Sequence, residues 1–103
     1  MIYIPHITDN AENDLRKICA YIENVLQNKK SKTDLINAID EKLTNISKMP
    51  TSYQICEYPP LAVRAVRYAV VKNYKLYFLI DEQTKIVQIL HIKHQLQSEE
   101  NLK

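Results

Sequence analysis

The chain contains no glycine, where an average domain carries about 7%. Its turns must therefore be built from Asn, Asp, Lys and Pro, and any family motif that normally includes glycine must read differently here. No run approaches the roughly 18 consecutive apolar residues of a membrane span. The opening "MIYIPHITDN" lacks both a basic n-region and a small-residue cleavage site, so no signal peptide is read and a cytoplasmic location is expected. Only two cysteines are present, Cys19 and Cys56. They form no CxxC or Cys/His ligand spacing, so neither a disulfide framework nor a zinc site is indicated. Both are expected as reduced thiols, with Cys19 in the core. A net charge of +2 and a pI near 8.5 allow contact with phosphate polymers but fall short of the strongly basic balance of a dedicated nucleic-acid binder.

What is present suits one domain spanning residues 1–103, with 46% hydrophobic residues. After the apolar "IYI", Asp9 followed by Glu12 has the form of a capping box. Ala11, Leu15, Ile18, Cys19, Ile22, Val25 and Leu26 then recur at spacings of three and four, predicting an amphipathic helix of about five turns. Ser31 with Asp34 predicts the start of a second helix, whose face is marked by Leu35, Ile36, Ile39, Leu43, Ile46 and Met49 and which Pro50 stops. The short connection makes the two an antiparallel hairpin. "PTSYQICEYPPL" holds three of the four prolines and reads as an irregular crossing.

From Val63 the period becomes two: "VRAVRYAVV", "YKLYFLI" and "IVQILHI", with "KN" and "DEQTK" as turns, predict a three-stranded antiparallel meander. The polar "QLQSEENLK" follows, as a last helical turn or a frayed end. The expected fold is α+β, β-α-α-β-β-β, a helical hairpin packed on one face of an antiparallel sheet, with the other face free.

On that sheet, Arg64 and Arg67 are three apart and should point to opposite faces. Each is either solvated or paired with a carboxylate, or is a rigid guanidinium able to grip a phosphate in bidentate fashion. His91 and His94 close the last strand. Their HxxH spacing on a strand makes the rings diverge, and with no third ligand in view no metal site is expected. Imidazole titrates near neutral pH, which suits His94 to proton transfer, against the reading of an ordinary surface residue. The tyrosines, among them Tyr53, Tyr58, Tyr68, Tyr74 and Tyr77, either pack in the sheet or stack on unpaired bases. Glu57 is the nearest carboxylate base, and the Lys29, Lys30, Lys32 run reads as a soluble connection.

In this order of elements, and in "DLRKICAYIEN", "LINAIDEKLTNISKMP", Arg67 six residues before Asn73-Tyr74, and "YFLIDEQTKIVQILHIKH", the chain resembles the RelE/ParE superfamily of toxins from bacterial type II toxin–antitoxin modules. The resemblance covers nearly the whole chain. Its ribonuclease branch, the first reading of this chain with the ParE branch as the alternative, implies ribosome-dependent cleavage of messenger RNA without metal or cofactor, with Arg67 on the scissile phosphate, His94 as acid or base, and Arg64, His91 and Lys93 as supporting positive groups. Its ParE branch implies inhibition of DNA gyrase without nuclease chemistry, and the long helical hairpin is closer to that pattern. Either branch implies an antitoxin partner and no membrane. The chain departs from many relatives where "HQLQS" replaces a glycine- and arginine-containing ending and where His91 stands for an arginine.

Overall fold

In the computed structural model, which describes residues 2–102, a short strand β1 (Ile4–Ile7) runs directly into helix α1 (Asp9–Asn24). Thr8 is the N-cap. Its Oγ1 accepts the N–H of Ala11 at 3.3 Å and donates to the carbonyl of Ile89 at 2.7 Å, so one hydroxyl caps the helix and ties it to the sheet. The cap thus lies one residue before Asp9, which joins Glu12 in the first turn, where acidic charge complements the helix dipole. Helix α2 (Lys29–Lys48) starts from Asn28, whose side chain accepts the Ser31 N–H at 3.0 Å, three residues before the expected cap. It ends at Met49, ahead of Pro50, as read.

The crossing contains a 3₁₀ turn (Pro50–Ser52) and a single helical turn, α3 (Pro59–Ala62). Strands β2 (Arg67–Val71), β3 (Tyr74–Asp81) and β4 (Ile86–His94) form the expected antiparallel meander. Strand β1 joins β4 in parallel, giving the order β1-β4-β3-β2. A helical crossover is what permits a parallel neighbour.

Leu35, Ile39, Leu43 and Ile46 of α2, with Ala11 and Ile22 of α1, bury against Ala69, Val71, Leu76, Phe78, Val87, Ile89 and Ile92. The spacings of three and four on the helices and two on β2 and β3 are why these residues share one interior. Val25 and Leu26 do not join it. The helix stops at Asn24, and they are 63% and 57% exposed. The interior cysteine is Cys56, 2% exposed, whereas Cys19 is only half-buried.

Two further departures follow from local backbone. Val63–Ala65 are a turn, not strand, because Pro59 and Pro60 start a helical turn that Ala65 closes with φ 57°. The sheet's second face is partly covered: Cys56, Leu61, Val66 and Leu102 pack there on Tyr77. With no glycine to use, left-handed backbone falls on Gln27, Ala65, Lys72 and Lys85, with φ from 52° to 58°.

A bulge decides which side chains meet. Phe78 faces Ile89 and Tyr77 faces His91, so Leu90 is an extra residue in β4. Ile89 and Ile92, three apart, both reach the core, while His91 and Lys93 fall opposite Tyr77 and Lys75, on the face away from the helices.

Candidate functional site

Strand β1 pairs with β4 only as far as Ile89. Beyond that point α1 lies along the bare edge of β4, and Asp14, 9% exposed, takes the place of the missing strand. Its carboxylate accepts the backbone N–H of Ile92 at 3.1 Å, lies 3.2 Å from His91 Nδ1, and accepts from Lys93 Nζ at 2.8 Å. Two of the groups read as phosphate contacts, His91 and Lys93, therefore lie against one carboxylate. Sequence reasoning missed Asp14. The signal was there: a carboxylate three residues after Ala11, on the helix stripe that otherwise holds Leu15, Ile18 and Ile22.

Arg67 opens β2 opposite Phe78, on the helix side of the sheet. Its guanidinium donates to the carbonyls of Tyr53 at 2.6 Å and Thr51 at 3.3 Å. It anchors the 3₁₀ turn to the sheet, where Tyr53 also meets Phe78 edge-on at 5.9 Å. Arg64 stands exposed in the turn after α3, off the strand where it was expected.

His94 pairs with Tyr74 at the other end of the meander. Its ring lies edge-on to Tyr74 at 5.6 Å, and its Nδ1 accepts the N–H of Leu96 at 3.2 Å. With Nδ1 accepting, a neutral His94 carries its proton on Nε2 and presents a donor, not a base, to solvent. It borders a cleft of about 330 Å³ whose walls include Ile18, Tyr21, Tyr74 and Lys17. The ladder places Arg67 and His94 two strands apart and four residues out of step, which separates their backbones by roughly 16 Å. The two expected catalytic residues therefore stand at opposite corners of the sheet and are not brought together.

The opposite face gathers groups that were not read as a site. Lys75 stands across from Lys93, with its Nζ 4.5 Å from the Tyr68 ring centroid. Glu99 lies 3.9 Å from Lys75 Nζ and accepts the Tyr77 hydroxyl at 2.8 Å. Burial, then the bond to Glu99, pushes the Tyr77 phenol well above its usual range. Glu57 is exposed in the crossing. Among the described residues no group of three or more His, Cys, Asp or Glu side chains is arranged to hold a metal, and no helix is long and apolar enough to cross a membrane.

The family model for the ParE toxin of type II toxin–antitoxin systems, parDE, matches residues 6–99. No curated protein sequence matches the chain. Among solved structures, it is similar to a chain of the chromosomal ParDE system of P. aeruginosa, with a TM-score of 0.70 and 20% identity over 90% of this chain and 96% of that one. It is also similar to a chain of the RelBE2 toxin–antitoxin complex of Mycobacterium tuberculosis, with a TM-score of 0.63 and 19% identity over 92% and 100%. A mutant of the E. coli toxin RelE in the free state gives a TM-score of 0.64 and 14% identity over 96% and 90%.

Proposed function

This chain belongs to the ParE toxin family of type II toxin–antitoxin systems, and from that premise we propose that it arrests growth inside the cell by binding and poisoning DNA gyrase, without cutting RNA. The observation that carries this reading is the fate of Arg67. Cleavage by the 2′-hydroxyl needs a cation on the phosphate within reach of an acid and a base. Arg67 is instead bonded to two backbone carbonyls and lies at the far corner from His94. Lys93 and His91 are likewise engaged with Asp14.

Ribosome-dependent messenger RNA cleavage is the competing reading. It draws on the exposed His94, which borders a cleft flanked by tyrosines and Lys17, and would make His94 the acid. A cognate antitoxin is the neutralising partner under either reading, since the ParDE and RelBE2 neighbours come from toxin–antitoxin systems.

The direct test is purified gyrase with relaxed plasmid and ATP. The gyrase reading expects loss of supercoiling and protein-linked double-strand breaks, both abolished by prior addition of the antitoxin. Undisturbed supercoiling at toxin in molar excess over gyrase contradicts it.

A further inference from the structure

Past Ile89 the edge of β4 has no strand beside it, and a cleft opens there between that edge and α1. The N–H of Ile92 points towards α1, to Asp14 at 3.1 Å, whereas that of Gln95 turns back to the carbonyl of Asn73 at 2.8 Å. Strand alternation between these two directs the N–H of His94 to the α1 side. Among the described residues that N–H has no acceptor.

From α1, Lys17 and Tyr21 line the same cleft one turn apart, on one face of the helix. Lys17 is exposed and, among the described residues, has no carboxylate partner, unlike its neighbour Arg16, which pairs with Glu12. Asp14 closes one end of the cleft. Its side chain is 10% exposed and its oxygens already hold the Ile92 N–H and Lys93, so it offsets the charge of Lys93 and leaves that of Lys17 in excess. The other walls are apolar: Ile18, Ile92, Tyr74 and Tyr21, which is 54% exposed. From Asp14 to Tyr21 the helix rises roughly 10 Å, with Lys17 between them. The cleft therefore carries donors in its middle and aromatic rings at its open end. Its volume of about 330 Å³ lies at the small end of ligand pockets.

We propose that this cleft binds a nucleoside monophosphate, with the phosphate on Lys17 and the His94 N–H and the base against Tyr21 and Tyr74. An ammonium and a backbone N–H are the donors that hold phosphate oxygens, and a tyrosine face stacks on any base. The ligand is a free mononucleotide and not a strand, because the Asp14–Lys93 pair closes one end and the volume takes a single base. The inference uses no step of gyrase poisoning, and binding is read without any activity of the toxin.

The test is equilibrium dialysis of the purified full chain with radiolabelled AMP. Adenosine, which has the ring without the anion, and ribose 5-phosphate, which has the anion without the ring, serve as competitors. AMP is expected to bind, and each competitor to displace it at least tenfold less effectively than unlabelled AMP does. Lys17→Ala and Tyr21→Ala, both at exposed positions, are expected to weaken AMP at least tenfold with an unchanged urea midpoint. Lys29→Ala, at the exposed start of α2, is expected to leave binding as it is. Absence of AMP binding at about 1 mM overturns the proposal. Competition by adenosine or ribose 5-phosphate equal to that of AMP overturns it too, since one half of the ligand then suffices. AMP binding that neither Lys17→Ala nor Tyr21→Ala weakens places the nucleotide elsewhere and has the same consequence. A single-stranded oligonucleotide that competes at lower concentration than AMP assigns the cleft to a nucleic-acid strand and likewise overturns it. The comparison of ligands on the unaltered chain decides the question even where a variant does not fold.

Discussion

The carboxylate of Asp14 accepts the backbone N–H of Ile92 at 3.1 Å, at the point along β4 where β1 no longer supplies a partner. The same carboxylate receives Lys93 at 2.8 Å. Asp14→Ala leaves a buried N–H and a half-buried ammonium without their acceptor, at a cost of about 2–4 kcal/mol. Asp14→Asn keeps the amide bond through its carbonyl oxygen and is expected to cost roughly half as much. Urea unfolding of the two variants measures the difference. Equal losses would mean that the N–H bond contributes nothing beyond the ion pair.

Arg67 ties the 3₁₀ turn after α2 to the sheet through the carbonyls of Tyr53 and Thr51. Bonds from a charged donor contribute about 1.5–3 kcal/mol, so Arg67→Ala is expected to lower the unfolding free energy by about 2 kcal/mol. Toxicity per folded molecule should persist. Complete loss of toxicity with unchanged thermal stability would instead place Arg67 at the target.

Ala65 holds φ 57° with a Cβ that crowds the following carbonyl, a strain of about 1–2 kcal/mol that glycine does not carry. Ala65→Gly is therefore expected to stabilise the chain by about 0.5–1 kcal/mol after the added entropy of the unfolded chain is deducted. An increase of a few degrees in Tm is the readout, and a decrease would refute the strain argument.

Burial pushes the Cys56 thiol up to about 11, with the Glu99 carboxylate adding to the effect, against about 8.5 in an unfolded chain. The folded chain keeps a proton that the unfolded chain releases. Stability fully present below about pH 8.5 is thus lost as pH rises towards 11. Burial and Glu99 move Tyr77 in the same direction. Urea midpoints should fall through this window, and Cys56→Ala should flatten the early part of the fall. A Cys56→Ala profile parallel to wild type would exclude the thiol as a source.

Periodicity made most of the fold legible. The stripe at Leu35, Ile39, Leu43 and Ile46 and the alternation in "YKLYFLI" each had one reading. The start of β2 did not, because "VRAV" alternates like a strand while Pro59, Pro60 and the left-handed Ala65 make it a turn. The candidate site was less legible still. A one-residue bulge at Leu90 reverses the facing of His91 and Lys93, and nothing in "IVQILHIKH" marks it except two isoleucines, Ile89 and Ile92, spaced three apart. Glu99 lay in a segment read as a last helical turn or a frayed end, and its role was hidden because its partners Lys75 and Tyr77 are distant in sequence and adjacent only in the folded sheet.

The most direct test of the account maps transcript 5′ ends by primer extension shortly after induction, in cells expressing the wild type or His94→Ala. Poisoning of gyrase without RNA cleavage predicts growth arrest by both proteins and no new ends inside translated codons. New ends within codons in the wild type that vanish in His94→Ala would contradict it and establish a ribosome-dependent nuclease with His94 in its site.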